Sequence, residues 1–167
     1  MAVNPNFIDT HYHVEDVYDV GREKVREYAL AVKNSHPAHH DDAAAKELGF
    51  DGLLAPPTFV AIFGVIAQSR LLELGGLDVT RVMQTDQRII FHKPLVSGVR
   101  LDCEVSVDSV REMAGSDIVV TKNVITDKSG DPVLTTYTTI VHMAEDAAAE
   151  DAAAVVVAVA DAQEAQK

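Results

Sequence analysis

Tryptophan is absent from this 167-residue chain, and cysteine occurs once, at Cys103. A lone thiol excludes an internal disulfide framework and fits a reducing compartment. Basic residues are also scarce, 14 Lys and Arg against 26 Asp and Glu, for a formal net charge of −12. Those few cations form no dense run, so the clustered positive charge that phosphate-backbone binding requires is missing, and nucleic acid is excluded as a partner. No apolar run has transmembrane length, and the N-terminal Met1-Ala-Val-Asn-Pro-Asn6 lacks the basic-then-apolar order of a signal peptide. These absences predict a soluble cytoplasmic protein without a membrane span. An apolar content of 47% makes the chain long enough for one domain with a real core.

What is present is a change of period along the chain. Val25, Tyr28, Ala29 and Val32 recur at helical spacing and predict a helix over 22–33, after a short strand at Val17–Val20. A second, short helix is expected at Asp41–Leu48, stopped by Gly49. Phe59–Leu74 then reads as a long helix ended by Gly75-Gly76. Its first turns are apolar nearly all the way round (Phe59, Val60, Ile62, Phe63, Val65, Ile66), which predicts burial there on every side. From Val99 to Asp108 the period is two, the mark of a half-buried antiparallel strand, and 89–92, 118–126 and 133–143 are also β-rich. Asp127-Lys-Ser-Gly130-Asp-Pro132 is a turn. An apolar helix followed by an antiparallel sheet is satisfied when the sheet wraps the helix, an α+β hot-dog fold with a single domain over 1–144. Residues 145–167 are acidic, Ala-rich and of low complexity, and their six acids against one lysine carry −5 of the net charge. They read as a solvated appendage with no docking face.

Asn34-Ser-His-Pro37-Ala-His39, then Gly49-Phe50, then Pro56-Pro57-Thr58 opening the apolar helix, resembles the active-site pattern of MaoC-like (R)-specific thioester hydratases. That pattern runs Asp-x-Asn-Pro-x-His, a Gly/Ala-Phe pair, and His-Gly before the helix. Val20–Ala29 is similar to the family's first helix. Gln87-Arg-Ile-Ile-Phe-His-Lys-Pro94 with Gly98 and Leu101 is similar to its strand pattern ending in Gly-Asp-x-Leu. The resemblance covers residues 7–144 and is narrower still to the N-terminal-type domain, the type of the non-catalytic subunit in actinobacterial (3R)-hydroxyacyl-ACP dehydratases of mycolic-acid elongation.

The resemblance implies an Asp/His dyad for proton transfer and a backbone N–H at the helix start for the thioester oxyanion. Asn34 stands where the acid belongs, and an amide takes up no proton at neutral pH. Pro57 stands where an N–H-bearing glycine belongs and has no N–H to give. His39 matches, and Val99 replaces a further acid. By the same resemblance Pro57, Thr58, Phe59, Ile62, Phe63 and Ile66 are the candidate acyl-binding residues. On the residues alone, Asn34 is an ordinary helix C-terminal residue, Pro56-Pro57 an ordinary helix start, and the phenylalanines and isoleucines core.

The expectation is a substrate-holding subunit of a (3R)-hydroxyacyl-thioester dehydratase, paired with a catalytic MaoC-like subunit and receiving acyl-ACP or acyl-CoA. Two alternatives stay open. One is a homo-oligomeric hydratase in which His39 works with Asp41, Asp42 or Asp86. The other is a non-enzymatic acyl-thioester binding module. No cofactor or metal is expected. His36 and His40 have the i, i+4 spacing of a helical metal pair, but Pro37 biases His36 out of helical geometry. Cys103 alternates with the core face of its strand and reads as a buried structural thiol. For an acidic carrier protein, Arg81, Arg88, Lys93 and Arg100 are the candidate docking cations.

Overall fold

The protein is described by a computed structural model over residues 5–113, 115–143 and 157. Most of the expected Ala-rich tail lies outside the described residues.

Strand β1 (His11–Asp19) leads into α1 (Arg22–Ala31), α2 (Asp42–Glu47), α3 (Ala61–Gly75) and four further strands: β2 (Val82–Phe91), β3 (Arg100–Met113), β4 (Ser116–Asp127) and β5 (Pro132–His142). All strand pairs are antiparallel, in the order β1-β3-β4-β5-β2. This is the expected hot-dog arrangement, a five-stranded sheet with one long apolar helix on one face. Every expected strand is present, and all but the last are longer. β1 begins well before Val17 because a register shift between Val14 and Tyr18 lets it continue past Asp16, whose φ of +50 is tolerable for an aspartate. The Asp16 N–H is taken up by the Asp102 carboxylate at 2.7 Å.

The helices end where their backbones can turn. α2 starts at Asp41, whose carboxylate accepts the Ala44 N–H at 2.9 Å, and closes on Gly49 at φ +87. α3 continues from a 3-10 turn at Pro57–Val60 and closes on Gly76 at φ +64. Gly75 is required for a different reason: a Cβ there would lie 2.7 Å from the Phe7 ring, which packs against the helix end. Tyr12 fastens β1 to the helix by donating its hydroxyl to the Ala67 carbonyl at 2.6 Å.

One stripe of α3 and the turn that leads into it (Phe59, Val60, Phe63, Ala67, Leu71) packs on the sheet side chains Leu101, Cys103, Val105, Val107, Val119, Ile125, Leu134 and Ile140. Full burial of each larger side chain here is worth about 1.5–3 kcal/mol. The expectation that the first turns are buried on every side fails. Val65 is 71% exposed and Ile66 50%, because five strands cover only one side of the helix. One helix bears on the expectation that no segment spans a membrane. Pro57–Gly75 spans 19 residues with a mean hydropathy of 1.3, long and apolar enough to cross a membrane, although the core helix of a soluble protein meets the same criterion.

Cys103 is fully buried, as its alternation predicts, and burial pushes its thiol up to about 12, as it does the Tyr12 phenol. Native protein at pH 8 should therefore leave Cys103 unmodified by a thiol reagent over hours, with full reaction only in denaturant. Both groups hold their protons more tightly folded than unfolded, so folding stability should fall as pH rises from about 9 toward 12. Denaturant melts across that range test the sign, and fast native thiol labelling would show that the strand opens.

Candidate active site at the start of the central helix

The site begins where α1 stops. Lys33 takes the left-handed position at φ +55, its N–H bonds the Leu30 carbonyl at 3.0 Å, and the Asn34 N–H returns to the Ala29 carbonyl at 2.8 Å. This closing turn ends α1 two residues before the expected boundary. The Asn34 side chain then folds back, and its Oδ1 accepts the His36 N–H at 3.2 Å. The Asn34 carbonyl accepts from His40 Nε2 at 2.8 Å. Asn34 is thus a local structural hub.

Pro37 holds His36 extended, at φ −62 and ψ 127, as a residue before proline should be. A 3-10 turn at Pro37–His39 follows and buries His39, which is 4% exposed. His39 Nδ1 lies 2.6 Å from the Leu54 carbonyl. A carbonyl only accepts, so Nδ1 carries the proton and Nε2 is the ring nitrogen left for chemistry. The Leu54 N–H donates back to the Ala38 carbonyl at 3.0 Å. Leu54 also bridges to Val96, and the Ala55 N–H bonds the Leu95 carbonyl at 2.8 Å. Leu54 therefore ties the His39 turn to the strand-like segment that runs straight into Pro56 and Pro57. Tyr28 closes the other side: its hydroxyl donates to the Thr58 carbonyl at 2.8 Å, and its ring meets Phe59 edge-on at 5.3 Å.

Pro56 and Pro57 offer no N–H, and the Phe59 N–H is bound to the Pro56 carbonyl at 2.9 Å. The first N–H of this helix start belongs to Thr58, one residue beyond the expected donor. The candidate acyl-binding residues divide into two groups. Phe59 and Phe63 are buried and pack on the Tyr18 ring at 6.1 and 5.6 Å, whereas Pro57, Thr58 and Ile66 are exposed and Ile62 is half-buried. A cavity of about 250 Å³ opens beside Asn34, lined by Ala29, Leu30, Lys33, Asn34, Ser35 and His40. It touches the acid position but not His39.

Residues 6–136 match the family described as the FAS1-like, dehydratase domain region. The chain belongs to this family. A UPF0336 protein of Mycolicibacterium paratuberculosis is 48% identical over 142 residues, 84% of this chain and 89% of that protein. One chain of a C-terminally truncated HadBC (3R-hydroxyacyl-ACP dehydratase) complex from Mycobacterium tuberculosis superposes with a TM-score of 0.73 at 42% identity, over 79% of this chain and 94% of that one. A MaoC-like dehydratase superposes with a TM-score of 0.75 at 40% identity over 81% of this chain, but this chain spans only 42% of its length.

Within this FAS1-like dehydratase region, two of the three residues that could replace the missing acid are committed elsewhere. Asp41 caps α2, and Asp42 pairs with Arg22, whose Nε lies 2.8 Å away and whose hydrogen bonds hold the Asp42 carboxyl below its ordinary range. Asp86 sits exposed on edge strand β2. The rings neighbouring His39 are His36 at 5.5 Å and His40 at 6.4 Å. The paired-histidine metal geometry does not form either: His36 Nδ1 accepts the Ala38 N–H at 3.3 Å, and His40 Nε2 is bound to Asn34. The candidate docking cations do not make a free patch. Arg81 pairs with Asp78 at 3.3 Å, Lys93 with Asp127, and Arg100 with Asp19 at 2.7 Å, while Arg88 lies over the Tyr137 ring at 4.4 Å. Sequence reasoning missed Leu54 and Tyr28. Leu54 acts through its backbone and leaves no side-chain signature, and Tyr28 reads only as one apolar position of α1.

Removing the imidazole leaves the Leu54 carbonyl unpaired in a buried site, a loss of about 1–3 kcal/mol. His39→Ala should therefore lower the melting temperature by roughly 3–10 °C, read by thermal denaturation. A change under about 2 °C would show that the His39–Leu54 contact contributes no stability.

Proposed function

We propose that this chain is the substrate-holding, non-catalytic subunit of a heteromeric (3R)-hydroxyacyl-thioester dehydratase in fatty-acid or mycolic-acid elongation. It works in the cytoplasm beside a catalytic MaoC-like subunit that carries an intact Asp/His dyad, and it handles acyl-ACP or acyl-CoA. The 1–144 domain is the pairing unit, with the acidic segment after it as an appendage.

One observation carries the reading. The residue at the acid position is an asparagine whose side-chain oxygen accepts the His36 N–H and whose backbone carbonyl accepts from His40, and no carboxylate touches His39 among the described residues. Dehydration must remove the α-proton, protonate the leaving 3-hydroxyl and stabilise the enolate-like thioester oxygen. A positioned acid or base contributes about 10²–10⁴ in rate and an oxyanion donor about 10²–10³. His39 Nε2 alone leaves one proton transfer unserved, and Pro57 withholds the donor at the expected position. Pairing is supported by the uncovered flank of α3 and by strand β2 at the sheet edge, where Met83 and Phe91 are exposed. It is supported also by the HadBC likeness, a complex by its description, and by the MaoC-like dehydratase whose chain leaves more than half its length beyond the matched domain.

Crotonyl-CoA hydration tests the proposal, measured on this chain, on a dyad-bearing MaoC-like subunit from the same cell, and on the two together. The isolated chain should stay near background, and the mixture should exceed the catalytic subunit alone at least tenfold. Substantial activity of this chain by itself would overturn the reading in favour of a homo-oligomeric hydratase. Tight thioester binding without turnover in any mixture would favour a binding module instead. Asn34→Asp should preserve the His36 cap yet give no measurable hydration to the isolated chain, because Pro57 still lacks its N–H. A large gain from that one change would show that Thr58 or another donor already serves the oxyanion.

A further inference from the structure

A polar seam crosses the space between α3 and the sheet. Gln68, on α3, donates from Nε2 to the Thr121 hydroxyl on β4 at 3.0 Å. The Thr121 hydroxyl donates to the Thr138 carbonyl on β5 at 3.4 Å, and Gln87 on β2 donates from Nε2 to the Thr138 hydroxyl at 3.4 Å. Thr121, Thr138 and Gln87 are register partners, so the seam is one straight row from beneath the helix to the sheet edge. Thr121 and Thr138 are buried, whereas the glutamines at the two ends are half-buried. In the next row, Asn123 is buried with its Oδ1 unpaired among the described residues, so this region holds more hydrogen-bonding capacity than the chain itself fills.

The seam opens onto the face that the proposed pairing must cover. Ala61, Gly64, Val65, Gln68 and Leu72 share one flank of α3 by helical spacing. Gly64 has open space where a Cβ would stand, and Val65 is largely exposed. On the helix side of β2, Gln87, Ile89 and Phe91 continue the same face, Phe91 with 45% of its surface exposed. An apolar flank fits many apolar partners. Two amides in its midst do not, because a partner that covers them without polar groups leaves buried hydrogen-bonding atoms unpaired, each at a loss that lowers affinity roughly 5–150-fold. A lone buried asparagine fixes pairing in coiled coils by the same logic.

We propose that Gln68 and Gln87 are the partner-selecting residues of this face, matched by polar groups of the catalytic MaoC-like subunit, so that the mixed pair forms in preference to two copies of this chain. The proposal rests on the heteromeric reading above. With methionine at both positions, the catalytic subunit's polar groups lose their partners, while two copies of this chain gain a wholly apolar contact.

Full-length chain, tagged and untagged, is mixed with the catalytic subunit, and mixed and self pairs are counted by native mass spectrometry. Wild type should favour the mixed pair, and Gln68→Met/Gln87→Met should shrink the mixed-to-self ratio at least tenfold. If that variant does not fold, single Gln87→Met, on the edge strand, should shift the ratio in the same direction. A ratio unchanged within twofold in a folded variant overturns the selection role and leaves the heteromeric reading standing. Absence of any mixed pair with wild type overturns both.

Discussion

Helix α3 has no polar face over its first turns, and a single five-stranded sheet reaches only one side of it. Most of the molecule is arranged around that mismatch. The buried stripe of Phe59, Phe63, Ala67 and Leu71 rests on β1, β3, β4 and β5. Side chains from three places hold the helix in position: Phe7 against Gly75 at its end, Tyr12 on the Ala67 carbonyl in its middle, and Tyr28 on Thr58 at its start. The opposite side, with Val65 and Ile66, stays bare, and so does much of β2. Burying those side chains would add hydrophobic stabilisation that this chain cannot generate alone. In the heteromeric function proposed above, a second domain of similar shape would supply the missing cover, so that proposal draws on this need as much as on the site.

The same mismatch explains which parts of the fold were legible in the sequence. The strict alternation from Val99 to Val107 reported β3 and its core face, because period two fixes which side chains point inward. Gly49 and Gly76 marked helix ends, because each takes a backbone angle other residues resist. The burial of α3 was misjudged because hydropathy registers that a surface avoids water, not which chain covers it. Strand lengths were underestimated for a related reason. Register shifts at Val14–Tyr18 and Gln84–Asp86 break the alternation where the strands in fact continue. Two of the candidate cations looked available because their acidic partners are remote in sequence, Asp127 for Lys93 and Asp19 for Arg100 across β3 and β1.

At the site, spacing located the residues and gave little of their contacts. The interval from Asn34 to His39 is set by a helix-closing turn, an extended residue before Pro37 and one 3-10 turn. Each is a backbone event that serves folding first. Lys33 in the left-handed region carries no sequence signature, and the Leu54 carbonyl that orients His39 belongs to a residue of no chemical interest.

That backbone origin bears on how a catalytic frame can persist without its acid. An aspartate at position 34 would accept the His36 N–H as the asparagine does, so the amide keeps the turn while removing a negative charge from a half-buried place. His39 is held by Leu54 whether or not a carboxylate lies near its Nε2. The arrangement is therefore stable as a fold irrespective of its chemistry. The order of motif residues identifies the family, and catalysis hinges on a different quantity: whether a proton-accepting oxygen stands within hydrogen-bond reach of that one free nitrogen. In this chain Asp41 and Asp42 are engaged in a helix cap and an ion pair, so neither is free to serve His39 Nε2, which is the condition that the proposed non-catalytic role requires.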